Sequence, residues 1–323
     1  MRIYRSLAEV PADFGPSVLT IGNFDGVHFG HRRILRRLKA LAGERGWKPA
    51  VLTFDPHPTR IVAPEHTPRL MTSPDRRAEL IEEEGIEHVL ILPFTRELAL
   101  LTPEEFVRQL LVERLGARAV LVGDNFRFGH RQAGNIRVLA ELAQRLGFET
   151  EVVPAAAWRG RIVSSSGIRE LIEAGRVSLA ARFLAHAYAL EGGVVSGRGV
   201  GSEHTVPTLN LSTAAEVLPA RGVYVTRTRD LESARQWDSI TNVGYRPTFG
   251  ASGQLSVETF LLDQDRPGGL SHLRVEFLWR LRDERKFETP EALKAQILGD
   301  VRMARRYFRR AQAWIRRVPC TSS

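Results

Sequence analysis

The sequence is short of thiols. Its 323 residues hold one cysteine, Cys320, which excludes an intrachain disulfide and a metal site built from thiolates. Any metal must take oxygen or imidazole ligands. No run of about 18 uncharged apolar residues occurs, which excludes a membrane-spanning helix on hydropathy. The first stretch, MRIYRSLAEVPADFG, lacks the apolar centre of a secretory signal, so a cytoplasmic protein is expected. No internal repeat or low-complexity tract stands out. Negative charge is in deficit: 37 Asp and Glu against 46 Lys and Arg leave a net charge of +9. That balance favours polyanionic partners in general, whether nucleic acid, acidic membrane or phosphorylated small molecules, and does not choose among them. Apolar and charged contents of 43% and 26% are ordinary for a soluble globular chain, and the length suits two domains, each with its own core.

From residue 17 to about 155, short apolar runs alternate with amphipathic stretches, the pattern of parallel strands joined by crossover helices. SVLTIG, PAVLTFD, EHVLILPF, ARAVLVGD and FETEVVPA read as strands. GHRRILRRLKALAGERG, SPDRRAELIEEEG, TPEEFVRQLLVERLG and NIRVLAELAQRLG read as helices, each closed by a glycine. The spacing predicts a doubly wound, Rossmann-like α/β domain over residues 1–184. Near residue 187 the texture changes to short β-rich segments rich in Gly and Pro, such as YALEGGVVSG, RGVYVTRT and HLRVEFLW, which predict a small β-barrel domain over 185–323. SSSGIRELIEAGRVSLAARFLAHA reads as two short bridging helices, and the segment after ETP as one long terminal helix.

In an open α/β sheet, ligands bind beyond the carboxyl ends of the strands, where loops lead into helix N-termini. IGNFDGVHFGHRRIL, residues 21–35, lies at such a place. Asn23, Gly26 and Gly30 occupy a loop in which the backbone can approach an anion, and the following helix offers its unpaired N–H groups. His28 and His31 can donate hydrogen bonds to phosphate oxygens as charge builds up in a transition state. Asp55 and His57, between prolines in TFDPHPTRIV, follow the second strand, and Asn125 and Phe126 in VGDNFRFGH follow the fourth. SSSGIREL offers Ser165 and Ser166 as caps or phosphate ligands. It also sets Arg169 one turn into a helix, where the dipole disfavours a cation unless an anion is bound.

GNFDGVHFGH resembles the first signature of the bacterial bifunctional riboflavin kinase/FMN adenylyltransferase family, also called FAD synthetase, whose N-terminal domain is a nucleotidyltransferase. The resemblance extends through the DPHP segment, the flavin-contacting loop at 122–130 and the second signature at 164–171. It implies that His28, His31 and Arg169 serve adenylyl transfer. Asn23, Gly26, Gly30, Asp55, His57, Asn125, Phe126, Ser165 and Ser166 would bind nucleotide and flavin. No Lys-Met-Ser-Lys-Ser-type sequence is present, which counts against a tRNA synthetase.

Residues 185–305 are similar to the riboflavin kinase domain of the same family. VPTLNL resembles its Pro-Thr-x-Asn motif, implying that Thr208 binds Mg²⁺ and Asn210 the nucleotide, and VETFLLD places Glu258 as the catalytic base. Two stretches depart from the family pattern. GSEHTVPT has Ser202 for a basic residue and Thr205 for a glycine, and PGGL at 267–270 replaces Asp-Leu-Tyr-Gly. The expected substrates are riboflavin, FMN and ATP. Two rivals stay open: a monofunctional FMN adenylyltransferase whose second domain only binds flavin, and a nucleic-acid-binding protein using the Arg-rich helix at 302–317. No nucleic acid and no membrane is the expectation, and oligomeric state is left open.

Overall fold

Every residue of β2 (Ser17–Ile21) is buried, as for a strand covered on both faces. The computed structural model describes residues 1–195, 208–246, 254–262, 269–285 and 287–315, and the chain divides into two units, Met1–Ser165 and Ser166–Ser323.

The first unit is a six-stranded sheet of β1 (Arg2–Tyr4), β2, β3 (Lys48–Phe54), β4 (His88–Leu92), β5 (Ala117–Gly123) and β6 (Glu149–Val153), in the order β1-β4-β3-β2-β5-β6. All pairings are parallel. Alternate residues divide between two cores because successive side chains point to opposite faces. Val18, Val51 and Val89 pack with Leu35, Leu38 and Leu41 of α1 (Phe29–Arg45) and with Leu80 and Ile81 of α3 (Pro74–Glu82). Leu19, Leu52 and Leu90 pack on the other face with Phe106, Leu110, Leu139 and Leu142. The last four come from a π-type helix, Phe106–Arg114, that continues α5 (Pro103–Glu105), and from α6 (Ile136–Leu146). The predicted doubly wound architecture and its five strands are present. A sixth strand, β1, was not predicted. Two short helices, α2 (Pro58–Val62) and α4 (Arg96–Leu100), and a two-stranded hairpin of β7 (Ala157–Trp158) and β8 (Arg161–Ile162) complete the unit.

From β2 the chain moves outward through β3 to β4, then crosses back so that β5 lies on the opposite side of β2. The loops after β2 and β5 therefore diverge at a topological switch point, where open sheets leave a crevice.

In the second unit, α7 (Ser165–Glu173, whose first residue ends the first unit) and α8 (Val177–Leu184) precede a closed barrel of β9 (Tyr188–Val195), β10 (Leu209–Thr213), β11 (Gly222–Asp230), β12 (Gln236–Arg246), β13 (Gln254–Leu261) and β14 (His272–Arg282). The barrel runs β10-β13-β12-β11-β14-β9 and closes through antiparallel β9–β10 pairing. Part of its interior is polar. Thr228, Ser239, Thr226, Thr241 and Thr259 form one chain of hydroxyl hydrogen bonds, with links of 2.7–3.0 Å, and all five are at most 1% exposed. Outside, α9 (Pro290–Ile315) opens on a Thr289 cap that accepts from the Ala292 N–H at 3.2 Å. It lays Val301, Ala304 and Phe308, at helical spacing, against Val225, Ile240 and Leu262. The predicted barrel and terminal helix are present.

Candidate active site

Between β2 and α1 the chain makes a compressed loop. Phe24, Gly26 and Val27 all have positive φ, 49°, 79° and 36°, conformations that glycine adopts freely and a β-branched residue resists. Burial of Phe24 and Val27 offsets the strain, since both are at most 2% exposed. The Asp25 carboxylate, 2% exposed, ties the loop to the segment before α3. Its Oδ1 accepts from the Met71 N–H at 2.9 Å, and from the Thr72 N–H and hydroxyl at 3.2 Å each. The Gly26 N–H donates to Thr72 Oγ1 at 3.1 Å, and the Asp25 carbonyl accepts from the Ser165 hydroxyl at 3.0 Å.

His28 caps α1: its Nδ1 accepts from the His31 backbone N–H at 3.3 Å. A neutral ring accepting at Nδ1 carries its proton on Nε2, so the free end of His28 is a donor. The His31 ring stacks on it with centroids 3.6 Å apart and leans on Phe24 at 5.0 Å. Its Nδ1 is buried without a hydrogen-bond partner among the described residues. Burial pushes the His28 imidazole down to about 4. Burial first, then the charges of His28 and Arg77, holds His31 well below the usual histidine range. Near neutral pH the pair is uncharged, and the rings act through N–H donors. Gly30 sits under the pair, where an added Cβ would stand 3.1 Å from Cε1 of His28.

The other residues singled out in this unit lie on neighbouring loops. The Asn23 amide donates to His57 Nε2 at 2.8 Å, and Nδ1 of that ring meets Thr59 Oγ1 at 2.7 Å, joining the loops after β2 and β3. Asp55 is exposed at the end of β3, and Asn125 is exposed after β5. Phe126 is partly buried and stacks on Phe128 at 5.3 Å, while Phe128, 6% exposed, turns into the core against Phe106. Of the second signature, Ser165 anchors to the β2 loop, and in the second unit Arg169 donates to the Ser166 hydroxyl at 3.3 Å. Sequence reasoning missed Asp25, Thr72 and Arg77. Arg77 carried a signal, because helical spacing sets it on the apolar face of α3 beside Ala78, Leu80 and Ile81.

A second constellation lies on the barrel. Asn210 of β10, Glu258 of β13 and Asn242 of β12 are directly opposite one another across three strands and so share a face. Asn210 is 8% exposed, Glu258 is partly buried, and the Ser256 hydroxyl donates to Glu258 Oε1 at 2.8 Å. Thr208 is exposed just before β10, and Asn242 and Ser256 were not foreseen. Ser202, Thr205 and the first two residues of PGGL lie outside the described residues, as do Arg316 and Arg317. On α9, Arg305, Arg306, Arg309 and Arg310 are exposed while Phe308 packs inward, the arrangement of a solvated basic face.

Two family models match in tandem, FAD synthetase over residues 10–167 and riboflavin kinase over residues 184–308. The chain belongs to the bifunctional riboflavin kinase/FMN adenylyltransferase family. It is 34% identical to the protein of that name from Pseudomonas fluorescens over 94% of this chain and 97% of the relative. The Escherichia coli K12 protein of the same name is 32% identical over 95% of this chain and 97% of its own length. A crystal structure described as a macrolide-efflux protein from Streptococcus pneumoniae matches with a TM-score of 0.84 at 25% identity, covering 94% of this chain and 98% of that one. Among the described residues no helix is long and apolar enough to cross a membrane. The family assignment favours neither a merely flavin-binding second domain nor a nucleic-acid-binding protein.

Proposed function

We propose that the chain makes FAD in two steps, phosphorylating riboflavin to FMN in residues 185–323 and adenylylating FMN in residues 1–184. The observation that carries this reading is the pairing of two enzymatic family matches in one chain with a stacked histidine pair at the switch point of the first.

In adenylyl transfer the FMN phosphate oxygen attacks the α-phosphorus of ATP and pyrophosphate leaves. The nucleophile is already an anion, so no covalent enzyme intermediate is required, and the chain's task is to position two polyanions and accommodate charge. Neutral His28 and His31 would give N–H donors to phosphate oxygens. The N-terminus of α1 would add its dipole, and Asn23, Gly26 and Gly30 would shape the approach. Asp55, His57, Asn125 and Phe126, on the loops after β3 and β5, are the candidates for contact with nucleotide and flavin. Ser165, Ser166 and Arg169 keep the ATP-phosphate role that their motif implies.

In the kinase step Glu258 would accept the proton of the ribityl 5′-hydroxyl as that oxygen attacks the γ-phosphorus of ATP and ADP leaves. Thr208 and Asn210 offer oxygen donors at alternate positions beside Glu258, a donor set that fits a hard cation such as Mg²⁺. When bound, Mg²⁺ would neutralise phosphate charge, with Thr208 as its ligand and Asn210 holding the nucleotide. Substrates of this kind accord with a cytoplasmic enzyme.

The test is to incubate the purified chain with riboflavin, ATP and Mg²⁺, with a parallel reaction started from FMN, and to separate the flavins by chromatography. FAD from both reactions is the expected result. FAD from FMN alone would limit the activity to the first domain, and no product from either would overturn the reading.

A further inference from the structure

Arg77 heads the fully buried side chains in volume among the described residues, at 2% exposure, in a helix whose neighbouring buried positions are Ala78, Leu80 and Ile81. A leucine there would pack without desolvating a charge, so packing alone does not account for a guanidinium. Its hydrogen bonds run to the ends of the strands. Nη1 donates to Thr53 Oγ1 and to the Phe54 carbonyl, both at 3.1 Å, at the last two residues of β3. The Thr53 hydroxyl in turn donates to the Asn23 carbonyl at 3.3 Å in the loop after β2. One buried cation thus fastens two adjacent strand ends just where their loops leave the sheet. The carboxylates of Asp25 and Asp55, one on each loop, supply the opposing charge.

We propose that Arg77 is a positioning residue for adenylyl transfer, holding the loops after β2 and β3 in the register that presents Asn23, His28, His31 and His57 to the substrates. The inference rests on the adenylyl-transfer reading of this site. Arg77 acts through Thr53, Phe54 and the acidic side chains, not on the reacting atoms. After burial and the charge of His28, the same cation adds to what disfavours a proton on His31, so that ring stays a neutral donor. Both loops carry candidate ligands, and a shift of about 1 Å between them would cost on the order of 10²-fold in rate.

The experiment compares Arg77→Met, Arg77→Lys and Thr53→Val with the parent chain, measuring kcat and KM for FAD formation from FMN and, on the same preparations, FMN formation from riboflavin. Arg77→Met should lower kcat for FAD formation by about 10²-fold with a smaller change in KM and with FMN formation unchanged. Arg77→Lys, which keeps a buried cation and donor, should recover part of the loss, and Thr53→Val should lower kcat in the same direction. Unchanged FAD formation in Arg77→Met would overturn the proposal, as would equal loss of both activities, which would make Arg77 a support of the fold. If Arg77→Met does not fold, Thr53→Val decides, and unchanged kcat there overturns the proposal. A parent chain that forms no FAD from FMN would instead refute the functional reading.

Discussion

The imidazoles of His28 and His31 lie face to face, 3.6 Å between centroids and 14° from parallel, a distance at which two imidazolium cations would repel. The pair is built to stay neutral, and its pH behaviour follows. His28 is lowered to about 4 in the fold against about 6.5 in the unfolded chain. Between those values the unfolded state binds more protons, so this contribution to stability is complete above the upper value and is lost as pH falls through the lower. Its size is on the order of 3 kcal/mol. Calorimetry from pH 8 down to pH 4 should show the Tm of the first unit falling over that interval, and His28→Asn should flatten the fall. The rate of FAD formation should show no inflection near the ordinary histidine value.

His28 also caps α1, so its removal mixes chemistry with helix stability. Asparagine caps well, and His28→Asn separates the two. Both His28→Asn and His31→Ala should slow FAD formation from FMN by about 10²- to 10³-fold while FMN formation from riboflavin is unchanged. An unaltered adenylylation rate in either variant would remove that histidine from the chemistry.

Gly30 tests the geometry while leaving both imidazoles in place chemically. In Gly30→Ala the methyl would stand 3.1 Å from Cε1 and 3.2 Å from Nδ1 of His28, so the ring must tilt off its cap. A fall in FAD formation of about tenfold with an almost unchanged Tm is expected from so small a displacement. Retention of full activity would mean that the ring orientation is not critical.

Glu258→Gln keeps the shape of the barrel face and the hydrogen bond to Ser256 but removes the base. FMN formation should fall by about 10²- to 10⁴-fold, with FMN adenylylation nearly intact. Equal loss of the two activities would refute the division of labour between the domains.

The parts of this fold that follow local periodicity were legible. Four of the five predicted strands, β2 to β5, carried apolar runs long enough to be covered on both faces, whereas β6 lies at the sheet edge with Val153 alone buried, and α1 and α6 ended at glycines with φ of 68° and 77°. β1 was not legible, because three residues carry no period and the strand exists through its register with β4, Arg2 to His88 and Tyr4 to Leu90. The same holds at the site. His28, His31 and Glu258 stand in motifs, whereas Asp25, Thr72 and Arg77 matter through partners 46, 46 and 24 residues away in sequence. Asn242 joins Glu258 and Asn210 only when three strands are set in register.

The hydroxyl chain inside the barrel has a direction. Thr228, Ser239, Thr226, Thr241 and Thr259 share four links, and each hydroxyl has one proton to give. Four protons complete the links, so one oxygen receives from its neighbours along the chain and must send its own proton elsewhere. Once that oxygen is chosen, every other O–H points toward it. An acceptor beside any one of the five therefore orders the remaining four, and a single contact at one wall of the barrel is felt as a reorientation of dipoles across three strands.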